Sequence, residues 1–203
     1  MSNVELTYHE NIVPYDRNEL LNRLNHALRK PRYEHVVRVE QMAIKLAKLN
    51  DVDVEKASIG GLVHDYAKQR PAQDFIDAIK KYHLDKTLLD YGNAIWHGYV
   101  GWIFVKKELG IQDIDVLNAV KHHTIGAKHM TKLEQIVYMA DYIEMGRQFP
   151  NVDKARKVTF DNLQNGVAYQ TKHTLDYLIQ NNKQVFPKMI DTYNAWVPKS
   201  NIK

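Results

Sequence analysis

The pair His64-Asp65, with Lys68 three residues further on, is where this 203-residue chain sets metal-capable side chains together. An imidazole nitrogen beside a hard carboxylate oxygen suits iron, manganese, zinc or cobalt better than magnesium or calcium. A His-Asp dipeptide arises by chance about 0.7 times in a chain this rich in His and Asp, so the pair needs further ligands to be a site. In chain order the candidates are His35, His64, Asp65, His97, His123 and Asp141, spread over separate predicted helices, each at a helix end or one turn in. Helical bundles build metal sites from side chains that project inward from facing helices, so ligands far apart in sequence can converge. The long gaps between them impose no geometry by themselves.

The elements that would position these residues are helices. Asp16 and Glu19 have capping-box spacing ahead of Leu20, Leu21, Leu24 and Leu28, which predicts a first helix running up to Pro31. Val36, Val39, Ala43 and Leu46 stripe a second helix over 33–49. Asp53 caps a third that carries Gly60 and Gly61, small enough for another helix to come close, and then reaches His64. Pro71 suits the first position of a fourth, with Phe75, Ile76 and Ile79 facing inward. A helix over about 95–110, another from Asp113 to about His122, and one opened by the Thr131/Glu134 capping box follow. Residues 144–151 must be irregular, a long helical region covers 152–179, and a short one covers 187–196. No alternating apolar run with hairpin turns is present, so the fold class is all-α.

Hydrophobic residues at 44% and charged residues at 26% are ordinary for a globular chain of one domain, with neither a disordered nor a fibrous bias. The absence of Cys excludes disulfides, thiolate zinc sites and a cysteine nucleophile, and fits a reducing cytoplasm. No apolar run reaches the roughly 20 residues of a membrane span, and the first residues are neither basic nor apolar enough for a signal peptide. A cytoplasmic protein without a membrane partner is expected. The net charge of +4 favours anionic partners, but no basic helix face with interleaved aromatics marks a nucleic-acid surface.

His35, His64-Asp65 and Asp141 resemble the H…HD…D ligand pattern of the HD superfamily of metal-dependent phosphohydrolases, an all-helical family with a metal site at the centre of its bundle. The segments Arg32–Val39, Leu62–Lys68, His97–Gly101, His123–Gly126 and Ile136–Pro150 further resemble its YqeK-type members in sequence and order. Those are bacterial symmetrical dinucleoside tetraphosphatases that split diadenosine tetraphosphate into two ADP, typically with iron. The resemblance spans about residues 20–185, and Ile125 stands where the family usually has a second Thr. The chain is accordingly divided into an HD phosphohydrolase domain over 16–185, an N-terminal arm over 1–15 that shows no period, and a C-terminal helix and tail over 186–203; the first twenty residues and about the last fifteen lie outside the resemblance.

Carried onto this chain, the resemblance implies a metal held by His35, His64, Asp65 and Asp141, most naturally iron, with manganese or cobalt able to substitute. His97 and His123 fall near the phosphates, as ligands of a second metal or as donors and proton carriers. Lys68 and Arg147 become phosphate clamps, Arg147 able to grip two oxygens at once, with Arg32 and Thr124 as secondary contacts. The partner is a dinucleoside polyphosphate, with ADP as product; the oligomeric state stays open, a homodimer being one option. Rival readings are another HD phosphohydrolase or phosphodiesterase, which shares the four core ligands, and a regulatory nucleotide-binding module without turnover. His122, although adjacent to His123, reads as structural. Gly98 and Gly101 read as helix-packing positions, and Arg147 has surface pairing with Glu144 as its bland alternative. Tyr66 and Phe149 read as core, with stacking on a base the lesser reading.

Overall fold

The computed structural model describes residues 6–202, and these form eleven α-helices and no strand. They are α1 (Arg17–Ala27), α2 (Lys30–Asn50), α3 (Val54–Val63), α4 (Ala72–Lys81), α5 (Asn93–Tyr99), α6 (Trp102–Glu108), α7 (Ile114–His122), α8 (Lys132–Ile143), α9 (Val152–Asp161), α10 (Leu163–Gln180) and α11 (Pro187–Trp196), with a short 3-10 turn over Lys86–Asp90.

The caps read from sequence are made. The Asp16 side chain accepts from Glu19 N, Asp53 from Glu55 N and Lys56 N, and Asp113 from Asp115 N and Val116 N. The Thr131/Glu134 capping box opens α8 with both of its reciprocal bonds. Each satisfies amide donors that a helix start otherwise leaves unpaired.

Three expected helices differ. The first ends at Ala27, and Pro31 lies in the first turn of α2, where its missing N–H is no loss. The helix expected over 95–110 is broken between α5 and α6, where a side chain on Gly101 would put its Cβ 1.7 Å from the His97 carbonyl oxygen. The helical region over 152–179 breaks at Asn162, which is extended (φ −158°, ψ 118°) and whose side chain caps α10 through Asn165 N. Asn competes with the helix for backbone partners, which is why it starts one better than it continues one.

α2, α3, α7 and α8 pack against one another around the main core, which includes Val39, Ala43, Ile59, Leu62, Val120, Ile136 and Val137. α3 lies close on α2 because Gly61 has no side chain: a Cβ there would stand 2.9 Å from the Glu40 Cα. A second core, with Phe75, Ile79, Trp96, Ile103, Phe186 and Met189, joins α4 to α6 with the C-terminal segment. Tyr8, Ile12 and Val13 are buried in the main core. That N-terminal segment is tied down by polar contacts: Tyr8 Oη lies 2.7 Å from Ser58 Oγ, Ser58 donates to the buried Glu40, and Arg17 grips both Glu40 oxygens at 2.7 and 2.6 Å. These contacts join the segment to α1, α2 and α3.

Candidate metal centre

Five helices deliver the side chains. His35 sits in the second turn of α2, His64 and Asp65 directly follow α3, His97 lies on α5, His123 directly follows α7, and Asp141 is in the last turn of α8. The imidazoles are aimed by local acceptors. His64 Nδ1 donates to Gly61 O at 2.7 Å, His123 Nδ1 to Val120 O at 2.7 Å, and His97 Nδ1 to Asn93 O at 2.5 Å. His35 Nδ1 donates to the buried carboxylate of Glu144 at 3.2 Å. A carbonyl or carboxylate only accepts, so each neutral ring carries its proton on Nδ1 and presents a bare Nε2 lone pair.

Those four Nε2 atoms face the two carboxylates. Asp65 Oδ2 lies 3.6 Å from His35 Nε2 and 3.5 Å from His64 Nε2, while Oδ1 lies 3.4 Å from His97 Nε2 and 3.7 Å from His123 Nε2. Asp141 Oδ1 is 3.1 Å from His35 Nε2 and 3.8 Å from His64 Nε2. Neighbouring donors around a six-coordinate ion with 2.1 Å bonds stand about 3 Å apart, so this spacing is close to that of a ligand set. Asp65 thus turns one oxygen toward His35 and His64 and the other toward His97 and His123.

The donor set fits a cation on a second ground. His35 Nε2, His64 Nε2, His123 Nε2 and Asp65 Oδ1 are buried and have no hydrogen-bond partner, and the Thr124 hydroxyl beside them has none either. Buried polar atoms are normally satisfied, and several orphans converging on one point mark a place for an ion or its bound water. His35, His64 and Asp141, and likewise His64, Asp65 and His123, bring one donor atom each within 4.8 Å of one another.

Cations surround this centre. Arg32 Nη1 donates to Asp65 Oδ2 at 2.5 Å, Arg147 Nη2 to Asp141 Oδ1 at 2.6 Å, and Lys68 Nζ lies 3.1 Å from His97 Nε2. Burial pushes the Lys68 ammonium down from its ordinary pKa. Burial alone would raise Asp65 and Asp141, but the first is outweighed by His64 and His123 and the second by His35, His64 and Arg147, so both stay below the usual carboxylate range. Burial lowers His64 too, yet Asp65 and Asp141 outweigh it and raise that ring. Burial lowers His123, and it pushes His97 down to about 3, with His123 and Lys68 acting in the same direction.

The HD domain family matches residues 32–146, the stretch that holds all six of these donors. The chain belongs to the HD family. It is 40% identical over 185 residues to the symmetrical bis(5'-nucleosyl)-tetraphosphatase of Bacillus subtilis (strain 168), covering 91% of this chain and 100% of that protein. It is 36% identical to the protein of the same name from Halalkalibacterium halodurans, covering 88% of this chain and 96% of the relative. Among solved structures it resembles a predicted HD superfamily hydrolase involved in NAD metabolism from Clostridium acetobutylicum, with a TM-score of 0.86 and 34% identity over 92% of this chain and 99% of the other.

All ten residues singled out in the sequence lie in or against this HD centre, Thr124 next to His123 and Arg32, Lys68 and Arg147 at its edge. His122 is turned away, its Nδ1 bonded to Glu134 at 2.6 Å. Glu144 pairs with His35 and with Arg38 Nε at 2.7 Å, not with Arg147. Glu144 and Arg38 are therefore parts of the HD centre that the sequence reading missed. The available signal was the three-residue spacing of Asp141 and Glu144, which keeps two carboxylates on one side of a helix end. Gly98 also belongs here: a Cβ on it would stand 2.9 Å from His123 Cε1, so it makes room for that ring. Gly101 meets its own chain instead. Ile125 is buried in the second core, and its carbonyl accepts from the Thr192 hydroxyl at 2.9 Å.

Proposed function

We infer that this protein is a metal-dependent hydrolase that cleaves diadenosine tetraphosphate symmetrically into two ADP. The observation that carries the chemistry is the convergence of unpartnered imidazole nitrogens and a carboxylate oxygen beneath three cationic side chains. The substrate rests on the tetraphosphatases that this chain matches over nearly their whole length.

In this reading His35, His64, Asp65 and Asp141 hold the primary ion, and Asp65 Oδ1 with His97 and His123 can hold a second. When bound, such an ion lowers the pKa of a water and neutralises charge on the attacked phosphate. Iron is the ion the resemblance implies, and imidazole with carboxylate suits manganese or cobalt as well. Glu144 keeps the His35 proton on Nδ1 and so keeps Nε2 available. Arg147, whose Nε and Nη2 bond Asp141, and Arg32, whose Nη1 bonds Asp65, would engage phosphate oxygens through their remaining N–H groups. Lys68 donates to the departing phosphate. That group has a second pKa of about 6, so it leaves as an anion near neutral pH and needs charge compensation more than a proton.

The test is the product profile of diadenosine tetraphosphate incubated with the full chain reconstituted with iron, manganese or cobalt. ADP as sole product is expected, and a His64→Ala protein should give none. AMP plus ATP would refute symmetrical cleavage, and no turnover with any of the three metals would refute the hydrolase.

A further inference from the structure

The helix that carries Asp141 ends without the usual glycine. α8 stops at Ile143, and Glu144 (φ −53°, ψ 157°) leads the chain away instead of folding it back through a left-handed residue. The last carbonyls of a helix have no amide of their own to accept from. Here two arginines supply the donors. Arg147 Nε donates to Asp141 O at 2.9 Å. Arg156, midway along α9, donates from Nε to Ile143 O at 3.1 Å and from Nη2 to Glu144 O at 2.9 Å and Arg147 O at 3.1 Å. Its Nη1 is held in turn by Asp153, three residues back on α9, at 2.7 Å. The Arg156 side chain is 16% exposed.

Those bonds fall on a short piece of backbone with two functional side chains. Glu144 to Arg147 is a turn, closed by the Arg147 amide donating to Glu144 O at 3.0 Å. Arg156 Nη2 bridges the carbonyls of its first and fourth residues, and Nε ties the turn to the helix end. The turn starts with Glu144, behind His35, and finishes with Arg147, whose Nη2 reaches Asp141. The partners of Arg156 are three peptide carbonyls and Asp153, and none is a side chain of the metal centre. A cation beside a helix C-terminus is favoured by the helix dipole, but a lone charge needs no such fork. Three carbonyls met by two nitrogens of one rigid plane define an orientation, which the single nitrogen of a lysine cannot.

We propose that Arg156 is a positioning residue for phosphate binding: it fixes the Glu144–Arg147 turn and thereby holds the Arg147 guanidinium at Asp141, with Nη1 left over for a phosphate oxygen. The proposal rests on reading the centre as a phosphohydrolase in which Arg147 contacts phosphate. Without Arg156 the carbonyls of Ile143, Glu144 and Arg147 lose these donors, the turn loosens, and Arg147 must be ordered anew each time a ligand binds. That ordering weakens binding even though Arg156 itself touches no phosphate.

The experiment is a double-mutant cycle read by calorimetric titration of inorganic pyrophosphate into the manganese-reconstituted full chain. Arg147→Gln should weaken binding about tenfold, as loss of a charged hydrogen bond does, and Arg156→Gln about fivefold. Because the second acts through the first, adding Arg156→Gln to Arg147→Gln should cost less than about twofold more. A merely structural role would weaken binding by the same factor in both backgrounds, and that result overturns the proposal, as do wild-type affinity in Arg156→Gln or in Arg147→Gln. Arg156→Lys keeps the cation and can keep one carbonyl bond, so it should stay weakened about threefold, and it carries the same cycle if Arg156→Gln does not fold. Full recovery by lysine would show that charge and not geometry matters, and would overturn the proposal too. Turnover is not needed for this readout. Coupling between the two arginines in a protein that does not hydrolyse diadenosine tetraphosphate would sink the hydrolase reading and leave the positioning role standing; hydrolysis without coupling would do the reverse.

Discussion

Replacing Glu144 by Gln removes a charge and keeps the shape, so the contacts of this side chain decide the outcome. The carboxylate accepts from three donors: His35 Nδ1 at 3.2 Å, Arg38 Nε at 2.7 Å and the Gly146 amide. Glutamine offers one oxygen and turns two N–H donors the other way, so it cannot serve all three. If its oxygen stays with Arg38 and Gly146, the amide N–H meets the His35 Nδ1–H, and His35 relieves the clash by moving its proton to Nε2. That ring then has no lone pair for a cation. If the oxygen turns to His35, Arg38 and Gly146 lose their acceptor, at about 1.5–3 kcal/mol for a hydrogen bond to a charged group, less whatever solvent recovers at the partly exposed Arg38. Either way metal affinity should fall by about 10- to 100-fold, the usual effect of losing a carboxylate behind a ligating imidazole. The assay is competition for manganese or cobalt against a chelator of known affinity, with circular dichroism to verify the fold. A folded Glu144→Gln protein with affinity within about twofold of wild type would refute the reasoning that His35 depends on Glu144.

Two further outcomes rest on geometry and burial. Gly98→Ala places a Cβ 2.9 Å from His123 Cε1 and 3.0 Å from both His123 Nδ1 and Thr124 Oγ1, while His123 is held by its bond to Val120 O. The ring must shift by a few tenths of an ångström, so kcat should fall about tenfold with a stability loss of about 1–3 kcal/mol; wild-type kcat and melting temperature would show that the site yields freely. In the metal-free protein His97 stays neutral down to about pH 3, whereas an unfolded His takes up a proton near pH 6.5. Between those values the unfolded state binds more protons, so stability rises with pH, and acidification from 6.5 to 5 costs about 2 kcal/mol through this residue. His97→Gln should therefore flatten the fall in melting temperature over that interval, and parallel profiles for the two proteins would show that His97 does not carry it.

Helices and their beginnings were legible because they depend on local chemistry. Asp16, Asp53, Asp113 and Thr131 each cap a helix as their positions predict, and the stripe through Val36, Val39, Ala43 and Leu46 faces the core. Helix interruptions were harder to see. At Gly101 the backbone turns so that its N–H bonds the Trp96 carbonyl five residues back, an approach that leaves no room for a Cβ, and at Asn162 a side chain that prefers to cap ends one helix and starts the next; apolar periodicity records neither. The N-terminal segment had no period, yet Tyr8, Ile12 and Val13 are buried, because docking onto α3 depends on the partner surface and not on the segment's own repeat. Of the centre, the His-Asp pair was visible as neighbouring residues, whereas His97, His123 and Asp141 could be joined to it only through a family resemblance, since separations of this length carry no distance information. Glu144 and Arg38 escaped for the opposite reason: a charged pair near a helix end looks like solvated surface until its burial is known.

The carbonyl anchors of His64, His97 and His123 bear on what mutation can and cannot reach. Gly61, Val120 and Asn93 hold these rings through peptide oxygens, which every amino acid possesses. A point substitution at 93 or 120 changes the side chain and leaves the acceptor in place. Three of the four imidazoles are thus insulated from drift in the side chains of the residues that orient them, and what can still turn them is displacement of the helix ends or bulk added against a ring, as at Gly98. His35 alone is oriented by a replaceable side chain. For an engineer seeking to retune metal choice without dismantling the centre, position 144 is the adjustable screw and the other three rings are fixed mounts.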